Sequence, residues 1–180
     1  MIISISGKAG SGKSTVARML SRELGFRHYS SGDFMRQIGK ERNLTLIELS
    51  HLAEKETWVD EELDRRQKEL GEREDDFVID GRLSWHFIPR SVKVYLDVND
   101  KVAAKRIWAD RKNRKNEGFS TEKELVAKLK ERHDSEIRRY KEYYNLNYHN
   151  KKNYDLVIDT SKSTVEKIIS EIKKFVIKSP

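Results

Sequence analysis

Residues 7–14 read Gly7-Lys8-Ala9-Gly10-Ser11-Gly12-Lys13-Ser14 and match the pattern G-x-x-x-x-G-K-[ST] without a mismatch. The pattern alone is only moderately specific, so its flanks decide. Met1–Ser6 (MIISIS) is a short β-branched run suited to a buried parallel strand. Ser14–Leu24 (STVARMLSREL) carries Val16, Ala17, Leu20 and Leu24 at helical spacing. Strand, glycine loop and helix therefore come in the order that a phosphate-binding loop requires. Gly7, Gly10 and Gly12 let the backbone curl so that successive N–H groups face phosphate oxygens. The helix N-terminus adds its partial positive charge. Lys13 reaches the β- and γ-phosphates, the Ser14 hydroxyl can ligate Mg²⁺, and Lys8, Ala9, Ser11 and Thr15 complete the cradle. A glycine-rich turn with a chance lysine is the alternative, and the flanks argue against it. The chain is expected to bind a nucleoside triphosphate.

Outward from this loop, four more short strand-like runs alternate with helical stretches: Arg27–Ser30, Phe77–Asp80, Val92–Leu96 and Leu156–Asp159. That alternation predicts an α/β fold with a parallel sheet covered by helices. Three helix starts carry capping boxes, Thr45 with Glu48, Thr121 with Glu124, and Ser163 with Glu166. No Gly-, Pro- or Ser-rich linker divides the 180 residues, a length that fits one domain. Gly32–Asp76 is mainly helical in pattern and far longer than one crossover helix needs. Residues 110–118 (DRKNRKNEG) form a basic, glycine-terminated stretch before a long helix. Beside a triphosphate site it reads as a lid, with an ordinary solvated connector as the alternative.

The net charge of +7 suits polyanionic ligands, nucleotides and nucleic acid alike, while a lysine-rich solvated surface would read the same way. No aromatic residues interleave with the basic ones as RNA-binding surfaces require, so nucleic acid is not the expected partner. The absence of cysteine excludes disulfides, thiolate metal sites and cysteine nucleophiles. The histidines, His28, His51, His86, His133 and His149, show no ligand spacing. No apolar stretch approaches the span of a bilayer, so a soluble, cytoplasmic protein without a membrane partner is expected.

Three further constellations carry chemistry. Ser30-Ser31-Gly32-Asp33-Phe34-Met35-Arg36 follows the second strand, and Arg36 can bring a bidentate fork back over the sheet edge toward a second phosphate. A capped helix with a surface arginine reads equally well there. The third strand ends Phe77-Val78-Ile79-Asp80-Gly81-Arg82. An aspartate after three apolar residues can sit beside the phosphate loop and hold water on Mg²⁺, and Arg82 then emerges at the same edge. Asp-Gly is also a common turn, but its pairing with residues 7–14 favours the functional reading. Arg132, Glu136 and Arg139 share one helix face, where Glu136 can hold both guanidinia or accept from a ribose hydroxyl; an exposed salt-bridged face is the alternative. Asp60, Asp64, Arg65, Arg66 and Gln67 form a polar cluster that a solvated helix face explains equally well.

Taken together, the phosphate loop, Ser31–Arg36, Asp60–Gln67 (DEELDRRQ), Asp80–Trp85 (DGRLSW), Arg132–Tyr140 and Ile158–Thr164 (IDTSKST) resemble the nucleoside monophosphate kinases, and within them the archaeal-type cytidylate kinases. The resemblance implies a five-stranded parallel sheet of order 2-3-1-4-5, flanked by helices. The core would be residues 1–30, 77–109 and 140–180, with an acceptor-binding insertion at 31–76 and a lid with its helix at 110–139. It implies transfer of the ATP γ-phosphate to CMP or dCMP, with Mg²⁺, by a monomer. Lys13 and Ser14 would serve ATP and metal, with Asp80 on the metal through water. Arg36 and Arg82 would grip the acceptor phosphate, Ser31 would sit near the base, Asp33 would belong to the same acceptor-nucleotide site, and Arg132, Glu136 and Arg139 would lie near the ribose. Arg106, Arg111 and Arg114 would close over the triphosphate. The bacterial cytidylate kinase pattern has a base-reading aspartate after Asp-Gly-Arg, where this chain has Leu83, and a base-reading arginine where this chain has Asp60. Asp60 is therefore expected to accept from the cytosine amine. The rival readings are a related kinase for UMP, AMP or a non-nucleotide acceptor, and an RNA-linked phosphate-loop NTPase.

Overall fold

Strand β1 (Ile2–Gly7) is buried at every position, which a strand can be only when neighbours pair both its edges and helices cover both its faces. The computed structural model, which describes residues 1–113 and 121–178, places it at the centre of a five-stranded parallel sheet. The other strands are β2 (Arg27–Ser30), β3 (Phe77–Asp80), β4 (Val92–Asp97) and β5 (Leu156–Asp159), in the order 2-3-1-4-5. Each lies within one residue of its sequence-based bounds.

Alternation along the strands divides the core into two layers. On one face Ile3, Ile5, Val78, Val94 and Leu96 pack against Val16, Ala17 and Leu20 of α1 (Lys13–Leu24) and Ile168, Ile169 and Ile172 of the last helix, Val165–Lys178. On the other, Ile2, Phe77 and Ile79 meet Ile88, and Tyr95 meets Leu83, Trp85, Tyr148 and Tyr154. Each Val, Leu, Ile or Phe so buried contributes roughly 1.5–3 kcal/mol of transfer free energy.

Between β2 and β3 run α2 (Ser31–Arg42), α3 (Leu46–Ala53) and α4 (Trp58–Arg73), joined by a small core of Ile38, Leu49, Ala53 and Val59. After β3 come the short α5 (Ser84–Phe87), β4, α6 (Asp100–Ala109), the long α7 (Glu122–Tyr144), β5 and α8 (Val165–Lys178). The capping boxes at Thr45 and Thr121 both form. The third does not form as expected. Ser163 Oγ turns back to the Asp159 carbonyl (3.3 Å), and Thr164, one residue later, accepts from Lys167 N–H (3.3 Å). Closing the turn after β5 takes the first hydroxyl, so the second caps the helix. Among the described residues no helix is long and apolar enough to cross a membrane.

Candidate active site

The loop from Gly7 to Ser14 wraps the start of α1. Gly10 and Gly12 have φ of +76° and +90°, a region that side chains rarely adopt. A Cβ on Gly10 would also stand 2.8 Å from the Ala103 carbonyl. Gly12 caps α1 with no side-chain acceptor, so the first N–H groups of the helix stay available to an anion. Lys13 Nζ donates to the Lys8 carbonyl (2.8 Å), which folds the ammonium back over the loop. Lys8 pairs with Asp100 (3.0 Å). Arg106 reaches the loop from α6: Nη1 lies 3.4 Å from the Gly10 carbonyl, and Nη2 donates to the Thr160 carbonyl (2.6 Å). Thr160 Oγ1 in turn lies 3.1 Å from the Ser11 carbonyl. The arginine thus braces the loop against the segment after β5.

Beside the loop stands Asp80, buried at the end of β3. Parallel pairing sets Ser30 opposite Asp80 and His28 opposite Val78, so His28, Ser30 and Asp80 project to the same face as α1. Ser14 Oγ donates to Asp80 Oδ2 (2.7 Å), and His28 Nε2 meets Oδ1 (2.8 Å). A hydroxyl and a carboxylate are hard oxygen donors, and so small a protein set suits Mg²⁺, which keeps most of its shell for water and phosphate. The residues therefore fit that metal.

At the same sheet edge, Ser31 and Asp33 open α2. The Arg36 fork lies back over the helix start, paired with Asp33, and both side chains are more than half exposed. Gly81 lets Ser31 and Ser84 close in: a Cβ there would stand 2.8 Å from Ser31 Oγ and 2.2 Å from Ser84 Oγ. The Arg82 carbonyl takes Ser6 Oγ (2.9 Å) and Trp85 Nε1 (3.0 Å), and its guanidinium binds Glu136 of α7. Burial disfavours the Arg82 charge, but Glu136, with Tyr148 and Tyr140 beyond it, more than offsets this and holds the group further above its usual range. Glu136 also accepts from Tyr148 (3.3 Å).

Glu136 thus reaches across to Arg82, which comes from the end of β3. Arg139 turns instead to Asp60, with Nε 3.3 Å from Oδ2. That approach is close enough for an ion pair but not aligned as a hydrogen bond, so both buried atoms lack a hydrogen-bond partner among the described residues. Burial raises the Asp60 pKa against the pull of Arg139. One turn on, burial pushes Asp64 up to about 6; the Tyr144 hydroxyl bonded to it (2.6 Å) opposes the shift and Asp60 adds to it. Gln67 accepts from Ser84 Oγ (2.7 Å).

The polar cluster in α4 is thus divided by the helix. Asp60, Asp64 and Gln67, at i, i+4 and i+7, turn inward. Arg65 and Arg66 turn outward to Glu62, with Arg66 also reaching Glu41. Arg111 sits in a short 3₁₀ turn with its guanidinium 4.6 Å over the Trp108 ring. Arg114 and the Arg132 side chain lie outside the described residues.

The model of the Cytidylate kinase-like family matches residues 2–162. The chain belongs to that family. The cytidylate kinase of Natronomonas pharaonis is 40% identical over 90% of this chain and 82% of its own length. That of Methanosphaera stadtmanae is 37% identical over 97% of this chain and 96% of its own. Among solved structures, a shikimate kinase from Bacteroides thetaiotaomicron superposes with a TM-score of 0.67 at 16% identity, covering 98% of both chains, which shows the shared fold alone.

Against this family background, the structure adds residues that the sequence pattern did not single out for chemistry. His28 reaches Asp80, and Tyr140, Tyr144 and Tyr148 line the side of α7 and its following loop that carries Glu136 and Arg139. The i, i+4 spacing of Tyr140 and Tyr144 with Glu136 was readable as one face, but only the tertiary packing says what that face meets.

Proposed function

We propose that this chain transfers the γ-phosphate of ATP to CMP or dCMP, giving ADP and the corresponding diphosphate. The observation that carries the reading is the 2.7 Å contact between Ser14 and Asp80. It ties a phosphate-loop hydroxyl to the acid whose strand leads, two residues later, into Arg82. Donor and acceptor sites are thereby neighbours on one sheet edge. The cytidylate kinase names of relatives matching nearly the whole chain support the choice of acceptor.

Phosphoryl transfer asks the protein for alignment and charge neutralisation. A bond forms between an oxygen of the acceptor phosphate and Pγ, and the bond from Pγ to the β-bridging oxygen breaks, its electrons leaving with ADP. The acceptor phosphate is already anionic, so no general base is required. Lys13 and the N–H groups of the loop hold the donor phosphates. Ser14 and Asp80 would hold Mg²⁺, which when bound would supply charge neutralisation for the donor phosphates. Arg36 and Arg82 bind the acceptor phosphate. Exchanging Asp33 for a phosphate costs Arg36 little at an exposed position. Asp60 Oδ2, buried without a hydrogen-bond partner among the described residues, is the acceptor for the cytosine amine, with Ser31 near the base and Asp33 in the acceptor site, and Glu136, Arg139 and Arg132 serve the ribose. Residues 31–76 act as the acceptor-binding insertion and 110–139 as the lid, with Arg106, Arg111 and Arg114 on the triphosphate side. The chain acts as a monomer and without nucleic acid.

ATP consumption in a coupled assay with Mg²⁺, against CMP, dCMP, UMP, AMP, GMP and shikimate, tests this. Turnover confined largely to CMP and dCMP is expected. Turnover with another nucleotide would overturn the base assignment, and none with any acceptor would overturn the kinase reading.

A further inference from the structure

We propose that His28 is a positioning residue for phosphoryl transfer: its imidazole fixes the buried Asp80 carboxylate so that Oδ2 faces Ser14 and the metal held there. This rests on the assignment of Ser14 and Asp80 to Mg²⁺ and goes beyond it by giving the carboxylate a dedicated anchor. The Asp80 carboxylate is almost wholly out of solvent and uses its two oxygens on opposite tasks. Oδ2 faces the phosphate loop, 2.7 Å from Ser14 Oγ, while Oδ1 turns away, 2.8 Å from His28 Nε2. An ionised carboxylate can only accept, so the imidazole presents Nε2–H to it. Ser30 Oγ stands 3.4 Å from Oδ2, too far to fix the plane of the group alone. Without His28, Oδ1 loses its short hydrogen bond and the carboxylate is held through Oδ2 by Ser14, with the longer Ser30 contact beside it. A group that orients a metal-facing carboxylate from the far side sets metal affinity without touching metal or substrate.

The apolar packing of β2 lies mainly on its other face. The core contacts of β2 come from Tyr29, on the opposite face, which meets Phe77 edge-on (centroids 5.4 Å apart) and stacks near Phe34. His28 is a polar side chain on the face of α1, and it keeps about a fifth of its surface in solvent. Truncating it should therefore spare the fold.

The test is calorimetric binding of the β,γ-imido analogue of ATP across a Mg²⁺ titration, for the unaltered chain, His28→Ala and His28→Gln. In the alanine variant, binding without metal should be unchanged, and the Mg²⁺ concentration that half-tightens binding should rise about 10-fold. Glutamine, whose terminal N–H can reach Oδ1, should restore most of that. Wild-type Mg²⁺ dependence in the alanine variant would overturn the proposal. So would equal losses in both variants accompanied by a lowered melting temperature, since the role would then be structural. A wild-type chain whose analogue binding ignores Mg²⁺ would overturn this and the metal assignment together. CMP-dependent turnover of the unaltered chain tests the kinase reading separately.

Discussion

Arg82 and Glu136, 54 residues apart in sequence, form a buried ion pair that ties the end of β3 to α7. The guanidinium is held in place before any substrate contact, and its charge is balanced inside the protein. Removing one partner of such a pair leaves the other charge buried and uncompensated, a penalty of about 3–5 kcal/mol. Glu136→Ala should therefore lower unfolding stability by about 3 kcal/mol in a urea titration, and Glu136→Gln, which keeps an acceptor for Arg82 and Tyr148, by clearly less. An alanine variant as stable as the unaltered chain would show that the pair contributes nothing net. On the proposed reading, Glu136→Ala also raises KM for the acceptor, because Arg82 loses the group that orients it, and Glu136→Gln raises it less.

Lys13 offers the opposite balance, high cost in rate and low cost in stability. Its ammonium donates to part-buried loop backbone at Lys8, outside the apolar core, so Lys13→Met removes little packing. It removes the one side-chain cation that the loop motif provides for the transferring phosphate. A preorganised donor of that kind contributes about 100-fold to 1000-fold in kcat. The variant should melt within a degree or two of the parent while losing at least about 100-fold in turnover. Near-normal turnover would refute the assignment.

How much of this was legible in the chain differs from residue to residue. The loop, its strand and its helix were legible because their residues are contiguous and glycine spacing is a local constraint. Asp80 was legible because three apolar residues followed by an acid mark the carboxyl end of a buried strand. His28 was not: its role depends on β2 lying in register with β3, a pairing that closes over the whole insertion and leaves no local trace. The pairing of Glu136 with Arg82 was not legible either, because helical spacing offers only neighbours on the same helix, whereas this guanidinium arrives from the loop after β3. In α4, charges on both sides of the helix hid the inward stripe of Asp60, Asp64 and Gln67, which a period-of-seven reading contains.

The raised pKa of Asp64 gives a pH signature. Its carboxyl moves from 3.8 up to about 6 in the fold, chiefly through burial. The folded state thus binds the proton more tightly than the unfolded chain, and native stability from this group is present below about pH 4 and lost as pH rises to about 6. Asp64→Asn keeps an acceptor for Tyr144 and abolishes the titration. Stability curves of parent and variant should converge near pH 4 and separate by on the order of 2 kcal/mol above pH 6.5, the variant being the more stable. Parallel curves across that range would show that Asp64 ionises normally in the fold.

The base assignment turns on Asp60. Its Oδ2 is buried, ion-paired with Arg139 and without a hydrogen-bond partner among the described residues, an arrangement that leaves an acceptor unmet. Cytosine presents an amine donor where uracil presents an oxygen, so a carboxylate acceptor favours the first and repels the second. Asp60→Asn offers both an acceptor and a donor and should cut the preference for CMP over UMP by about 10-fold or more, mainly by raising kcat/KM for UMP. Because Asp60 also raises the neighbouring Asp64, the comparison belongs above pH 7.5, where Asp64 is ionised in either protein. An unchanged CMP to UMP ratio there would remove Asp60 from the base site and leave its pairing with Arg139 as a purely structural bridge between α4 and α7.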